Sequence, residues 1–286
     1  MKIGISAFAW TADFRDSHLD LLPGLRELGL TAYEIPMFDP ANLPAAKIRR
    51  AMAASVIDCT VCAILPPGIN PISSDPAVRK QSVQHLQTCL QVAAEMGAKL
   101  VAGPIYAPIG YLPNHRRTNE EWQWAVEALH SLTPALNATG IQLAIEPVNR
   151  SETFFLTKAK DAADLCDAVG HPGIGITIDT FHSNIEEKNT ANAIRLVGKH
   201  LKHMHASEND RGLLGSGHVD FPGIIRALRE TSYSGYLMIE GFGYSASEPN
   251  SPGYLWADQD VSPGDMAFEG AKYLVSVLRQ ASENSA

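Results

Sequence analysis

Four apolar stretches in the second half of the chain each lead to a side chain that can bind a metal ion. They run from Ile141 to Glu146, from Ile174 to Asp179, from His200 to His205 and from Gly235 to Glu240. Three carboxylates held close together repel one another and cannot all remain ionised unless a cation lies among them. Three oxygen donors and one imidazole nitrogen suit a hard or borderline divalent ion, so we expect Mn²⁺, with Mg²⁺ or Co²⁺ as alternatives. The sequence therefore predicts one metal site built from these four side chains.

The four stretches meet only if they are parallel strands of one sheet, and the rest of the chain repeats the same pattern. Eight candidate strands begin near Lys2, Thr31, Asp58, Lys99, Ile141, Ile174, His200 and Gly235. Their mean spacing of about 33 residues is the length of one strand, one helix and two loops. The first strand is not followed by the Gly-rich phosphate turn typical of an open doubly wound sheet. We therefore expect one α/β domain over residues 1–286, folded as a (β/α)8 TIM barrel with its active site at the carboxyl ends of the strands.

Amphipathic patterns between these strands predict the helices of the barrel, and several of them end in a glycine that suits the position after a helix. They cover Leu19–Leu28, Ala45–Ala54, Val78–Met96, Glu120–Leu136, Ala159–Val169, Ala191–Val197, Ile224–Arg229 and Met266–Ala281. Residues 241–263, after the eighth strand, are rich in Pro, Gly and Ser. We expect this segment to form a lid over the site or a contact between subunits.

The amino-acid composition limits the kinds of molecule that this protein can bind. The formal net charge is −8 and the chain is 45% apolar, which argues for a packed globular protein and against nucleic acid as a partner. No apolar stretch is long enough to span a membrane, and the opening MKIGISAFAW suits a first strand better than a signal peptide. Four cysteines are too few for a disulfide scaffold, so we expect a cytoplasmic protein.

Three motifs together resemble the ketose 3-epimerases, the family of D-tagatose, D-psicose and L-ribulose 3-epimerase among the xylose isomerase-like barrels. They are Glu146-Pro-Val-Asn-Arg-Ser-Glu152, Asp179-Thr-Phe-His182-Ser-Asn-Ile-Glu-Glu and His203-Met-His205-Ala-Ser-Glu-Asn-Asp-Arg211, and Ile239-Glu240 adds to the match. The resemblance implies the same four metal ligands, with Glu146 and Glu240 as the acid/base pair. It also implies that Glu152, His182 and Arg211 contact the first three carbons of the sugar, and that Gly103 lies near the substrate. The family often forms homodimers or homotetramers, which we expect here.

The implied chemistry is inversion of C3 in a ketose through a cis-enediolate. A metal on the C2 and C3 oxygens would stabilise the developing negative charge. One glutamate would remove the C3 proton, and the other would return a proton from the opposite face. Strands five and eight are separated by two others, so Glu146 and Glu240 can approach the sugar from different sides. The sequence has no Arg/Lys cluster that marks a phosphate pocket, which favours a free sugar.

Other functions fit part of this pattern. An aldose–ketose isomerase of the hydroxypyruvate or tagatose type, or a lyase like inosose dehydratase, would use the same metal site. An endonuclease IV-like enzyme would need more strand-end histidines and a basic groove. The sequence departs from the family at Ile109-Gly110-Tyr111, where a Trp is common, and at Glu240-Gly241-Phe242, where Glu-Pro-Phe is common. Both departures affect the expected sugar preference and leave the chemistry unchanged.

Several residues have a structural explanation beside the functional one. Arg211 could pair with Glu208 or Asp210 in a surface loop, and His182 could hold a carboxylate. We expect His203 to form hydrogen bonds in the core, and Glu34 to be structural rather than a substrate contact. Packing also explains the CxxC pair Cys59 and Cys62, because their side chains should point to opposite faces of a strand. It equally explains four aromatic residues that follow early strands: Phe8, Trp10, Phe38 and Tyr106.

Overall fold

The computed structural model describes residues 1–242 and 261–283, and its centre is a closed barrel of eight parallel strands. The strands are β1 (Lys2–Ser6), β2 (Ala32–Met37), β3 (Asp58–Ala63), β4 (Leu100–Gly103), β5 (Gln142–Ile145), β6 (Ile174–Asp179), β7 (Leu201–Ala206) and β8 (Tyr236–Ile239). They pair in chain order, and β8 closes the ring against β1. The predicted (β/α)8 fold is confirmed, and each observed strand begins at the predicted residue or one residue after it.

The helices surround the barrel, and the described ranges contain ten of them. They are α1 (Leu22–Glu27), α2 (Ala45–Ser55), α3 (Pro76–Met96), α4 (Asn119–His130), α5 (Thr133–Thr139), α6 (Ala159–Val169), α7 (Thr180–Glu186), α8 (Thr190–Val197), α9 (Phe221–Glu230) and α10 (Pro263–Glu283). The single helix predicted over Glu120–Leu136 is wrong, because it is divided between α4 and α5. Pro134 lacks a backbone N–H and its ring would clash with the carbonyl of His130, so one helix cannot continue through it.

Helix α7 was not predicted, although it begins directly at the proposed site. Asp179 is its N-cap, and one carboxylate oxygen accepts a hydrogen bond of 2.9 Å from the backbone N–H of Phe181. The helix is only seven residues long and has no clear amphipathic period, so pattern analysis had little signal. The cap fixes one oxygen of Asp179 and leaves the other available to the barrel mouth.

Strand register brings the site residues to one height. Asp179 of β6 is the Cα partner of His205 of β7, and Thr177 is the partner of His203. Successive side chains of a strand point to opposite faces, so His203 and His205 share one face of β7. Both side chains are fully buried. The register therefore places the carboxylate and the two imidazoles on adjoining strands.

The two cysteines of the CxxC pair diverge as predicted. Cys59 belongs to the main apolar core, whereas Cys62 packs in a small separate cluster with Phe8 and Phe242. Both thiols are free, and burial raises the pKa of each. They therefore act as packing residues.

Two expectations concern parts of the chain for which the structure gives limited information. The segment 241–263, predicted as a lid or subunit contact, lies outside the described residues except for 241–242 and 261–263. Within the described ranges, no helix has both the length and the apolar character needed to cross a membrane.

Candidate metal centre and active site

The structure brings the four predicted metal ligands together at the carboxyl ends of β5 to β8. Glu146 directly follows β5, Asp179 ends β6, His205 lies in β7 and Glu240 directly follows β8. All four are buried, with exposures between 0% and 4%. Nδ1 of His205 lies 3.1 Å from Oε1 of Glu146 and 3.5 Å from Oε1 of Glu240. Two glutamates from strands separated by two others therefore face one imidazole nitrogen.

Arg211 enters this cluster from the loop after β7. Its Nη1 donates hydrogen bonds to Oδ2 of Asp179 at 2.7 Å, to Oε2 of Glu240 at 2.6 Å and to Oγ of Ser207 at 2.9 Å. The guanidinium carbon lies 4.0 Å from the ring centroid of Phe181. Arg211 is 4% exposed. The alternative of a surface ion pair is therefore wrong, because the side chain turns into the barrel mouth.

Burial and mutual repulsion act strongly on Glu240. Burial raises its pKa to about 7, and the nearby carboxylates of Asp179 and Glu146 act in the same direction. The positive charges of His205 and Arg211 oppose this rise without cancelling it. Without a bound cation, Glu240 can therefore hold a proton near neutral pH.

The neighbouring charged groups shift in the directions that ion pairing dictates. Burial alone would raise the pKa of Asp179, but Arg211 and His182 lower it below its usual value. Burial alone would lower the pKa of His205, but Glu240 and the other facing carboxylates raise it well above its usual value. The cluster therefore favours a positive charge at its centre.

The side chains present fit a bound divalent cation. One ligand atom each from Asp179, His205 and Glu240 lies within 4.8 Å of the others, and the same holds for Glu146, Asp179 and His182. Carboxylate oxygens with one imidazole nitrogen are a suitable donor set for Mn²⁺, Mg²⁺ or Co²⁺. A structural Zn²⁺ site would instead be dominated by Cys and His ligands.

The predicted substrate contacts lie beside the metal ligands and are linked by Asn149. The side-chain amide of Asn149 donates to Glu152 at 2.7 Å, and its backbone N–H donates to Nδ1 of His182 at 3.2 Å. Nε2 of His182 lies 3.5 Å from Oδ2 of Asp179 and 3.3 Å from Nη2 of Arg211. Sequence analysis had not singled out Asn149, although it lies within the Glu146–Glu152 motif. Nδ1 of His182 accepts from the backbone of Asn149, and Nε2 faces Asp179 and Arg211 at the barrel mouth.

Tyr106 supports the backbone that carries Glu146. Its buried hydroxyl donates to the carbonyl oxygens of Glu146 and Leu156, at 2.9 Å and 3.1 Å. Tyr106 is therefore structural rather than part of a sugar-facing wall. Phe8 and Phe38 instead pack with Phe242, which follows Glu240 by two residues.

Trp10 packs edge-on against Tyr33 in the main core, with ring centroids 6.3 Å apart. Of the four early aromatic residues, only Phe8 and Phe38 therefore share the cluster of Phe242. That cluster is an apolar surface close to the carboxyl end of β8.

Gly103 has a backbone role that a larger residue could not perform. It ends β4 with φ of 127°, and a Cβ at this position would lie 2.2 Å from the carbonyl oxygen of Ala63. Its own carbonyl accepts the backbone N–H of Glu146 at 3.1 Å. Gly103 thus permits the close approach of β3 and β4 and helps to hold Glu146, and its contact with substrate stays a prediction.

Gly103→Ala is expected to lower the free energy of unfolding by about 4 kcal/mol or more, because the added Cβ would clash with the backbone of Ala63 and the positive φ disfavours alanine. Urea unfolding of the two proteins measures the difference. Gly24→Ala in α1 is the control, because a Cβ there meets nothing within 4 Å. Alanine should raise helix stability there by about 0.5–1 kcal/mol. Equal stability of Gly103→Ala and the parent would contradict the steric argument.

Comparison with known proteins agrees with the barrel fold. A family model described as the xylose isomerase-like TIM barrel matches residues 24–273. The L-ribulose 3-epimerase of Mesorhizobium japonicum is 30% identical over 264 residues, which is 90% of this chain and 89% of that protein. The ketose 3-epimerase of Arthrobacter globiformis is 30% identical over 268 residues, covering 91% of this chain and 92% of that protein.

Solved structures show the same relationship. A structure of L-ribulose 3-epimerase superposes with a TM-score of 0.92 at 28% identity, covering 100% of this chain and 97% of that one. The D-allulose 3-epimerase of Methylomonas sp. gives a TM-score of 0.90 at 26% identity, with coverage of 97% and 98%. The chain therefore belongs to the xylose isomerase-like TIM barrel family. Within it, the chain is a member of the ketose 3-epimerases, carbohydrate epimerases of the isomerase class, as its motifs predicted.

Proposed function

We propose that this protein is a metal-dependent epimerase that inverts C3 of an unphosphorylated ketohexose or ketopentose through a cis-enediolate. The observation that carries the proposal is the arrangement of Glu146 and Glu240, which approach one nitrogen of His205 from strands separated by two others. Inversion needs two proton-transfer groups on opposite faces of one carbon, and two glutamates on separate strands support such a pair.

The two glutamates act as a proton-transfer pair. In one direction Glu146 takes the proton from C3, and Glu240 gives a proton to C3 from the other face. For the opposite epimer the two residues exchange roles. The enzyme thus changes the configuration of C3 without any net change in the substrate's atoms.

The ligand set for the cation is Glu146, Asp179, His205 and Glu240, and we propose Mn²⁺, with Mg²⁺ or Co²⁺ as alternatives. When bound, such an ion supplies Lewis-acid stabilisation of negative charge on the substrate oxygens.

The neighbouring side chains bind the first three carbons of the sugar. Arg211 and His182 donate hydrogen bonds to sugar oxygens, while the carboxylate of Glu152 accepts one from a hydroxyl. Gly103 gives the substrate room beside β4. The names of the relatives, L-ribulose and D-psicose 3-epimerase among them, support both ketopentoses and ketohexoses as candidate substrates.

The decisive experiment combines metal removal with isotope exchange. The chelated protein is assayed on a panel of free ketohexoses and ketopentoses in heavy water, before and after addition of Mn²⁺. We expect activity only with added metal and deuterium only at C3. Deuterium at C1 would identify an aldose–ketose isomerase, and loss of water would identify a lyase. An undiminished rate in the chelated protein would overturn the metal-dependent proposal.

We also propose that the protein works in the cytoplasm as a homodimer or homotetramer of single-domain chains, as its family resemblance suggests. Sedimentation equilibrium of the purified protein measures the assembly directly.

A further inference from the structure

The mechanism above gives no role to the fully buried carboxylate of Glu34. Glu34 of β2 is 0% exposed and lies at the centre of a polar group inside the barrel. Its Oε2 accepts a hydrogen bond of 3.1 Å from Oγ1 of Thr60 and lies 2.8 Å from Nε2 of His203. Its Oε1 lies 2.9 Å from Nε2 of His205. A buried carboxylate on three partners is costly to maintain, so its position calls for a function.

The contact between Glu34 and His205 joins two buried atoms that have no hydrogen-bond partner among the described residues. Oε1 of Glu34 and Nε2 of His205 lie 2.9 Å apart, but neither forms a hydrogen bond of ordinary geometry within residues 1–242 and 261–283. Oε2 of the same carboxylate is already held by Thr60 and His203. The carboxylate is therefore held in one orientation, with its remaining oxygen aimed at the far nitrogen of the imidazole.

Both imidazole nitrogens of His205 face carboxylates. Nε2 faces Glu34, while Nδ1 lies at hydrogen-bond distance from Glu146 and near Glu240. An ionised carboxylate can only accept, so in the metal-free site both nitrogens face acceptors. A cation bound at Nδ1 would replace the proton there, and the remaining proton would then lie on Nε2, facing Glu34.

We propose that Glu34 is a positioning residue that fixes His205 in the Nε2–H tautomer and so presents Nδ1 to the cation. This inference rests on the metal site of the proposed function. Partners of this kind fix the ring orientation of a ligating histidine and raise its basicity. Glu34 acts through His205 and does not itself contact the sugar.

The test compares Mn²⁺ affinity with fold stability in Glu34→Leu and Glu34→Gln. Mn²⁺ binding to the chelated proteins is followed by the electron paramagnetic resonance signal of the free ion, and urea unfolding of the metal-free proteins reports the fold. We expect Glu34→Leu to bind Mn²⁺ about 10- to 100-fold more weakly. Glu34→Gln should lose less, because its amide oxygen can still accept from His205. Thr177→Val is the control, because Thr177 is buried on β6 and, among the residues that the structure describes, its hydroxyl bonds the carbonyl of Ala144.

A second measurement reports the tautomer in the unmutated protein. Protein labelled with ¹⁵N-histidine and loaded with diamagnetic Zn²⁺ is examined by NMR, with His205→Asn used only to assign the signals. We expect the proton on Nε2 of His205, and a proton on Nδ1 would overturn the proposal. This measurement decides the question even if Glu34→Leu fails to fold.

The outcomes separate this inference from the proposed function. If the unmutated protein binds no Mn²⁺, the metal-dependent function fails. If it binds Mn²⁺ and both Glu34 variants bind equally well, only the positioning role of Glu34 fails. Weaker binding in the Glu34 variants with unchanged binding in Thr177→Val supports it.

Discussion

Glu146→Gln and Glu240→Gln are each expected to lower kcat for C3 epimerisation by about 10²- to 10⁴-fold, the usual contribution of a positioned acid or base. Glutamine keeps the shape of the side chain and can still offer an oxygen, but it can neither take nor give the required proton. Initial rates with saturating Mn²⁺ and ketose measure the effect. In heavy water, each variant should retain slow C3 exchange with one epimer only, because one proton-transfer group remains.

Glu121→Gln is the matched control for these substitutions. Glu121 is also buried, but it accepts the backbone N–H of Thr118 in the capping box of α4, a role that glutamine can fill. Its kcat should equal that of the parent protein. Normal turnover in both site variants would contradict the two-glutamate mechanism, and exchange with both epimers in either one would show that the remaining glutamate reaches both faces.

Arg211→Met is expected to lower the free energy of unfolding of the metal-free protein by about 3–5 kcal/mol, since it leaves buried carboxylates without their cation. The guanidinium of Arg211 bonds both Asp179 and Glu240, and all three side chains are buried. Urea unfolding after chelation gives the loss. Added Mn²⁺ should stabilise the variant more than the parent, because the ion restores the missing positive charge.

Arg195→Met provides the comparison for an exposed arginine. Arg195 makes an ion pair with Glu230, and both side chains are exposed, at 41% and 54%. Solvent screens such a pair, so little change in stability is expected. Equal losses in the two variants would show that burial does not set the cost of removing Arg211. An equal response of the Arg211 variant and the parent to Mn²⁺ would show that the ion and the arginine do not share this charge cluster.

The strands and their terminal acids could be predicted because both are local features. Ile174 to Asp179 is an apolar run with a carboxylate at its end, and the barrel's own geometry brings such ends together. The break at Pro134 was also present in the sequence and could have been recognised from the proline alone. The fold was therefore predictable wherever the signal lay within a few neighbouring residues.

The contacts that complete the site depend on residues far apart in the chain. Glu34 and His203 are separated by 169 residues, and no local pattern indicates that β2 and β7 meet through them. Arg211 was placed in the site by resemblance only, because its inward course depends on a backbone φ of 64° that sequence periodicity does not reveal. Asn149 had a weaker signal, since asparagine in a loop equally suits a turn.

The proposed metal ligands and most of the apolar cluster near Glu240 come from different halves of the barrel. Every proposed ligand of the cation comes from β5 to β8, whereas Phe8, Phe38 and Cys62, three members of the apolar cluster near Glu240, come from the first three β/α units. Changes in the early loops can thus alter this apolar cluster while the proposed acid/base pair stays in place. In an enzyme of this architecture, the gene segment that encodes the first three strands can therefore drift without touching the residues proposed to carry out the reaction.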